Sequence, residues 1–475
     1  MSKISVSENL AVNIEKLIAD LGFKGKKILL VSDERIFANS ARFFKGNLDK
    51  VVAKKLILKA PKADEKNLKK IAAAAKNHDL ILALGSGTIN DLCKYTSAQS
   101  QIPYAVFASA ASMNGYLSKN ASITISGHKK TLAATLPLAV FCDLKILKAA
   151  PLELTKAGIG DSLCFYSCWF DWYLSHKILG TKFDKKPFEM LKKKMEFFVN
   201  NFEKFSAQNE EFLKLLIEIL LISGQAMTIV GGSYPASQSE HLIAHTIEMK
   251  YPELAGRNLH GAEIAVTTLT AARLQKNILE SESIVSFYRN SSSLRTSEQE
   301  DLMSFNSKPK LMRSSSLRAK DDEFGIEKNM ASFFGKKIAK ECQKEYEQKL
   351  QTIKESGKIK LSTKAKKDLE KIHLDESHLK SIFSHFKIKT SPKSLGLSNS
   401  QYQECVMHAK FIRNRFTCLD LVKSEDDDGS IEQTLHLLSS SKNRKHLLSA
   451  IKNEGKGKSV TFKSKTEMKK FFIKL

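Results

Sequence analysis

Acidic residues, paired cysteines and uninterrupted apolar runs are what this chain is short of. Its 475 residues set 51 Asp and Glu against 76 Lys and Arg, a net charge of +25. That excess favours phosphate-bearing partners, but it does not separate a metabolite from nucleic acid or a lipid headgroup. The seven cysteines, at 93, 142, 164, 168, 342, 405 and 418, form no CxxC pair. An odd, dispersed set in a long chain argues against a disulfide framework and reads as reduced thiols in a cytoplasmic protein. The N-terminal stretch MSKISVSENL lacks the apolar core of a signal peptide, so none is expected. The most apolar long segment, Phe212 to Gly232, is interrupted by Lys214, Glu218 and Gln225. It is expected to be a buried helix, and no membrane span is expected.

What remains is an ordinary globular balance, 42% hydrophobic and 27% charged, long enough for two or three domains. In the first 150 residues strand-like and helix-like segments alternate. Lys27–Ser32, Val51–Leu58, Asp79–Leu84, Tyr104–Ala108 and Leu138–Cys142 read as strands, and Lys66–Asn77 as a helix. That rhythm predicts an α/β fold, a parallel sheet covered by helices. From about Pro151 apolar residues recur at three- and four-residue spacing, over 161–179, 188–204 and 209–228, and predict an all-helical second domain. The domains are therefore expected at 1–150 and 151–428. Ser291 to Asp322, with SSSLR at 291–295 and again at 314–318, reads as a mobile surface insertion, and 429–475 as a basic, flexible tail. The last 35 residues hold eleven Lys or Arg and two Glu, so much of the basic excess is there. They lack interleaved aromatics apart from Phe471 and Phe472. A solvated tail is expected and no nucleic-acid partner.

Two groups of residues carry chemistry. Phosphate needs backbone N–H groups that a ligand can approach, and a helix N-terminus adds partial positive charge. Gly85-Ser86-Gly87 follows a buried strand and precedes a helix starting near Thr88, although the third glycine of a GxGxxG fingerprint is missing. Asp33 also follows a strand. There a carboxylate either bonds the adenosine ribose, favouring NAD over NADP, or caps the next helix. The second group is Asp161, His241, His245 and His260. His241 and His245 share a helix face at i, i+4. One carboxylate with two imidazoles leaves a divalent ion open to substrate. Taken singly, Asp161 reads as a helix N-cap, the two histidines as a polar face and His260 as a loop cap.

In this order the segments GSGTINDLCKY (85–95), SAASMNGYLSKNASI (109–123), AGIGDSLCFYSCWFDW (157–172), GGSYPASQSEHLIAHTIEM (231–249) and LHGAEIAV (259–266) resemble the sn-glycerol-1-phosphate dehydrogenases. These lie within the iron-containing alcohol dehydrogenase and dehydroquinate synthase-like superfamily. The resemblance covers about 27–285 and 330–422. It implies a Rossmann-like domain, a helical domain and an active site in the cleft between them. It implies NAD or NADP held by Gly87, Thr88, Ile89, Asn90 and Asp91, with Ser109, Ala110, Ala111, Ser112 and Ser118 near the nicotinamide. It implies one divalent metal, zinc foremost with nickel or iron as alternatives, on Asp161, His241 and His260. His245 becomes a substrate contact and proton-relay candidate. The family has Asp where this chain has Asn114, which keeps the shape and loses the charge. The expected reaction is hydride transfer between dihydroxyacetone phosphate and sn-glycerol 1-phosphate, in a cytoplasmic homo-oligomer. The alternatives are a related polyol dehydrogenase with altered substrate, or a degenerate dehydrogenase that acts as an interaction protein through its basic tail.

Overall fold

A computed structural model describes residues 2–125, 128–254, 256–281, 330–356 and 361–422. The Ser-rich insertion and the basic tail expected at 291–322 and 429–475 lie outside these residues.

The strands are β1 (Lys3–Ser7), β2 (Ile28–Asp33), β3 (Lys54–Leu58), β4 (Leu80–Gly85), β5 (Tyr104–Ala108), β6 (Asn120–Ile125), β7 (His128–Ala133) and β8 (Ala139–Asp143). Helices α1 (Ile14–Ala19), α2 (Glu34–Ser40), α3 (Asn47–Val51), α4 (Glu65–Ala75), α5 (Gly87–Ser100) and α6 (Leu144–Ala149) fall between and after them. Six strands form one parallel sheet in the order β1-β8-β5-β4-β2-β3, and β6 and β7 form an antiparallel hairpin. The central strands are apolar on both faces because helices cover both sides of a parallel sheet. Leu29, Val31, Ile81, Ala83 and Val106 join one buried cluster, and their neighbours Ile28, Leu30, Leu80, Leu82 and Phe107 join another. The edge strand β1 and the β6–β7 hairpin are additions to the strands read from the sequence.

All described strands precede residue 144, and the rest is helical. There follow α7 (Leu152–Leu179), α8 (Lys186–Asn201), α9 (Glu210–Val230), α10 (Ser239–Lys250), α11 (His260–Glu280), α12 (Lys336–Ser356), α13 (Thr363–Ile372), α14 (Glu376–His385) and α15 (Asn399–His408). The expected α/β fold followed by a helical region is thus present. Helix α9 is long and apolar enough to cross a membrane by length and composition. Phe212, Leu216, Ile217, Leu220 and Leu221 are instead buried in the cluster that includes one face of the sheet. That cluster also takes Ile159 and Leu163 of α7 and Ile264 of α11, so one continuous core ties the sheet to the helices.

Candidate active site

Topology places the first half of the site. The chain goes from β2 outward to β3, then back across β2 to β4. Ligands of open α/β sheets sit outside the carboxyl ends of the strands where the order reverses, here between β2 and β4. Asp33 ends β2 and Gly85 ends β4, with Ser32 and Leu84 in register. Both nucleotide signals from the sequence therefore lie at the carboxyl ends of neighbouring strands.

Gly85 and Gly87 do different things. A Cβ on Gly85 would collide with the Ile89 side chain, so that glycine serves the strand-to-helix packing. A Cβ on Gly87 would meet only Met113 Cγ, at 4.0 Å, so the first turn of α5 is open to a ligand. No acidic residue occupies that turn. Ile89 itself is buried, which leaves its backbone rather than its side chain for any ligand. Thr88 also sits in this first turn. Asn90 is fully buried, its Nδ2 donates to Asp91 at 3.2 Å, and its Oδ1 has no hydrogen-bond partner among the described residues.

Other expected cofactor contacts are engaged inside the protein. Asp91 accepts from Ser122 N–H at 2.9 Å and lies 3.5 Å from the buried Lys94 ammonium. Lys94 donates to the carbonyls of Gly115 and Asn120 at 2.6 and 3.0 Å. The Ser118 hydroxyl lies 3.0 Å from the Asn120 carbonyl and 3.4 Å from the same ammonium. Asp33 Oδ1 accepts from the N–H groups of Arg35 and Ile36 at 2.8 and 3.2 Å, the helix-cap alternative. Beyond β5, Ser109 N–H donates to the Gly85 carbonyl at 3.0 Å, which holds the 109–112 turn against β4. Ser109 Oγ is buried without a hydrogen-bond partner among the described residues, while Ala110, Ala111 and Ser112 are buried beside it.

The second half of the site is made by α7, α10 and α11. Asp161 lies ten residues beyond the Pro151 cap of α7, so the N-cap reading of it is corrected. His241 and His245 lie on α10, and His260 is the first residue of α11. Close approach of backbones brings them together. A Cβ on Gly160 would collide with the Gly261 carbonyl, and one on Gly261 with the Ala157 carbonyl. Asp161 and His260 each adjoin one of these glycines. Asp161, His241 and His260 each offer a ligand atom, all within 4.8 Å of one another. His241 Nε2 is 3.8 Å from Asp161 Oδ1. The His241 ring centroid is 5.1 Å from that of His260 and 6.0 Å from that of His245.

Neighbouring groups aim these side chains. Asn114 N–H donates to Asp161 Oδ2 at 2.8 Å, leaving the buried Oδ1 without a hydrogen-bond partner among the described residues. Burial pushes the Asp161 carboxyl up to about 6, partly offset by His241 and by that N–H. His241 Nδ1 is 2.8 Å from Glu240 Oε1, and His245 Nδ1 is 3.1 Å from Glu248 Oε2. Burial would raise the Glu240 carboxyl, but the bonds from His241, Gln238 N–H and Ser167 outweigh it and hold it at about 2. His241 Nε2 and Asp161 Oδ1 face each other at 3.8 Å, beyond hydrogen-bond distance, with His260 beside them, as ligands around one ion would. The donor set therefore fits a divalent ion.

Sequence reasoning missed the outer carboxylates. Glu248 and Glu263, whose carboxylates lie within 4.8 Å of a His260 ring nitrogen, stand three residues after His245 and His260, a helical spacing that could have drawn notice. Glu240 directly follows Ser239 and precedes His241, and no periodic signal marks such a neighbour.

The chain is similar in sequence and in fold to known oxidoreductases. Residues 5–151 match the family model described as iron-containing alcohol dehydrogenase. A glycerol-1-phosphate dehydrogenase [NAD(P)+] of Halalkalibacterium halodurans is 36% identical over 217 residues, 45% of this chain and 54% of that protein. Its counterpart in Geobacillus thermodenitrificans is 31% identical over 263 residues, 53% of this chain and 65% of that protein. The chain thus spans between half and two thirds of the length of these curated relatives. Among solved structures, glycerol dehydrogenase from Schizosaccharomyces pombe aligns with a TM-score of 0.54 at 13% identity, covering 97% of this chain and 93% of that one. Sulfoacetaldehyde reductase from Bifidobacterium kashiwanohense, in complex with NAD+, aligns at 0.55 and 13%, covering 93% and 97%. These structures share the fold, and the family resemblance read from the motifs is borne out.

Proposed function

We propose that this chain, similar to the glycerol-1-phosphate dehydrogenases in sequence and to iron-type alcohol dehydrogenases in fold, is a metal-dependent NAD(P)-linked oxidoreductase. It interconverts dihydroxyacetone phosphate and sn-glycerol 1-phosphate. The observation that carries this reading is the convergence of Asp161, His241 and His260 on one point. The division of labour falls near residue 150, with dinucleotide on the sheet side and a divalent ion, zinc foremost, on the helical side.

When bound, the dinucleotide supplies hydride and the ion supplies Lewis acidity toward the ketone oxygen. The chain's own residues position and neutralise. The open first turn of α5, from Gly87 to Ile89, offers N–H groups and a helix dipole to the pyrophosphate, with Asn90 following it. The 109–112 turn borders the nicotinamide half. Asp161, fixed through Oδ2 by Asn114 N–H, presents Oδ1 to the ion. His245, braced by Glu248, is the group placed to exchange a proton with substrate, since an imidazole can both accept and donate one. The basic excess of the chain favours a phosphorylated substrate. Seven unpaired, buried thiols suit a cytoplasmic enzyme, and the family resemblance favours a homo-oligomer.

The test is oxidation of NADH and NADPH with dihydroxyacetone phosphate, before and after chelation and zinc add-back. Turnover that vanishes on chelation and returns with metal supports the reading. Absence of turnover with zinc, nickel and iron alike would sink it. One observation favours a second reading, a polyol dehydrogenase with altered substrate. Asn114 puts a neutral amide, its Nδ2 buried without a hydrogen-bond partner among the described residues, where the family has a carboxylate. Comparing ketones with and without phosphate decides between them.

A further inference from the structure

Glu240 has no exposed surface, and its oxygens meet several donors, with the buried Arg415 guanidinium near enough to feel its charge. Its Oε1 accepts from Gln238 N–H at 2.8 Å and lies 3.1 Å from the Cys168 thiol. Its Oε2 is 2.7 Å from the Ser167 hydroxyl. Among the described residues, the one basic side chain within 4.0 Å of it is His241. Ser167 and Cys168 come from α7, the helix that carries Asp161. The same helix carries Asp171, whose Oδ2 accepts from Ser239 N–H at 3.2 Å. Helix α7 thus holds the start of α10 at several points, and Glu240 is the group through which that grip reaches the His241 ring.

A packing role alone does not need a carboxylate. Burying a charge is costly, and a glutamine would fill the same space. What the carboxylate adds is a demand on the imidazole. Facing Oε1 at 2.8 Å, Nδ1 must carry a proton. The lone pair is then left on Nε2, on the side of Asp161.

We infer that Glu240 is a positioning residue that fixes His241 in the Nδ1–H tautomer and directs Nε2 at the ion held with Asp161 and His260. This rests on the cation site of the proposed function. Outer carboxylates on ligating imidazoles fix ring orientation and raise ligand basicity, and their loss lowers metal affinity roughly 10–100-fold.

The experiment uses the full-length protein stripped of metal, with zinc alone as probe. Zinc affinity is read by competition with a chromophoric chelator for wild type, Glu240→Gln and His260→Ala. Glu240→Gln is expected to bind zinc roughly 10–100-fold more weakly than the wild type. A merely structural role would lower the melting temperature of the metal-free form and leave zinc affinity at the wild-type value. That result would overturn the inference while leaving the proposed function intact. Wild-type protein that takes up no zinc would remove both. Should the variant not fold, imidazole ¹⁵N spectra of the metal-free wild type decide the matter. A proton on His241 Nδ1 supports the inference, and a proton on Nε2 refutes it.

Discussion

Gly160 and Gly261 set how near Asp161 can come to His260. With a methyl group on either, the facing carbonyl must retreat and α7 and α11 must separate. Overpacking of this kind costs about 1–3 kcal/mol. Gly160→Ala is therefore expected to lower stability by that amount in denaturant titration and, beyond that, to weaken zinc binding more than tenfold. Unchanged zinc affinity would show that the helix separation does not govern the site. Asp171 gives a pH signature at the same scale. Burial raises its carboxyl to about 6, against an ordinary value of 3.8. A raised carboxyl binds protons more tightly in the folded state, so its contribution is present below about pH 4 and is lost as pH rises through about 6. The loss is on the order of 2–3 kcal/mol. Asp171→Asn leaves Ser239 N–H, Gln275 and Cys418 N–H short of an acceptor. It should be less stable than wild type at pH 4, with the gap narrowing toward pH 7. A gap that stays constant across that range would reject this assignment. The three candidate ligands are legible as residue types because Asp and His stand out in apolar segments. Their brackets, Glu240 and Asn114 N–H, depend on which backbones meet, and composition does not carry that.

Helices and strands position these residues through a few anchoring contacts. The Lys94 ammonium, buried on α5, joins the Gly115 and Asn120 carbonyls to Asp91. It thereby ties the turn that carries Asn114 to the helix that would receive the dinucleotide. Removing one partner of a buried, hydrogen-bonded charge costs about 3–5 kcal/mol, because the groups left behind stay desolvated. Lys94→Met is expected to lose that much stability in urea titration. A loss below about 1 kcal/mol would mean that the turn is held elsewhere. Strands β2, β4, β5 and β8 were readable because burial on both faces makes them continuous apolar runs. Strand β1, KISVS, and the β6–β7 hairpin escaped notice because their sequences mix polar and apolar residues without a long run. Helix α7 was read as starting near 161 and begins at Leu152, because LELTKAG carries polar residues in a helix that is otherwise apolar.

At the scale of the molecule, the sheet and the helices share one core, and the site lies where the two meet. The reversal of strand order between β2 and β4 brings Asp33 and Gly85 to one end of the sheet on one side. The crossing of α7, α10 and α11 provides Asp161, His241 and His260 on the other, and Asn114 links the halves through its bond to Asp161. Fold class followed from the alternation of segments, whereas the meeting of the two halves followed from glycines and from Lys94, whose roles appear only once the backbones are in place. The central claim is that one ion sits among those three side chains, facing the dinucleotide. Anomalous diffraction at the zinc edge, from crystals soaked with zinc and NADH, tests it most directly. The account predicts a single strong peak bounded by Asp161, His241 and His260, with the nicotinamide ring facing it. A bound nicotinamide ring with no peak between those side chains, or a peak elsewhere, would contradict it.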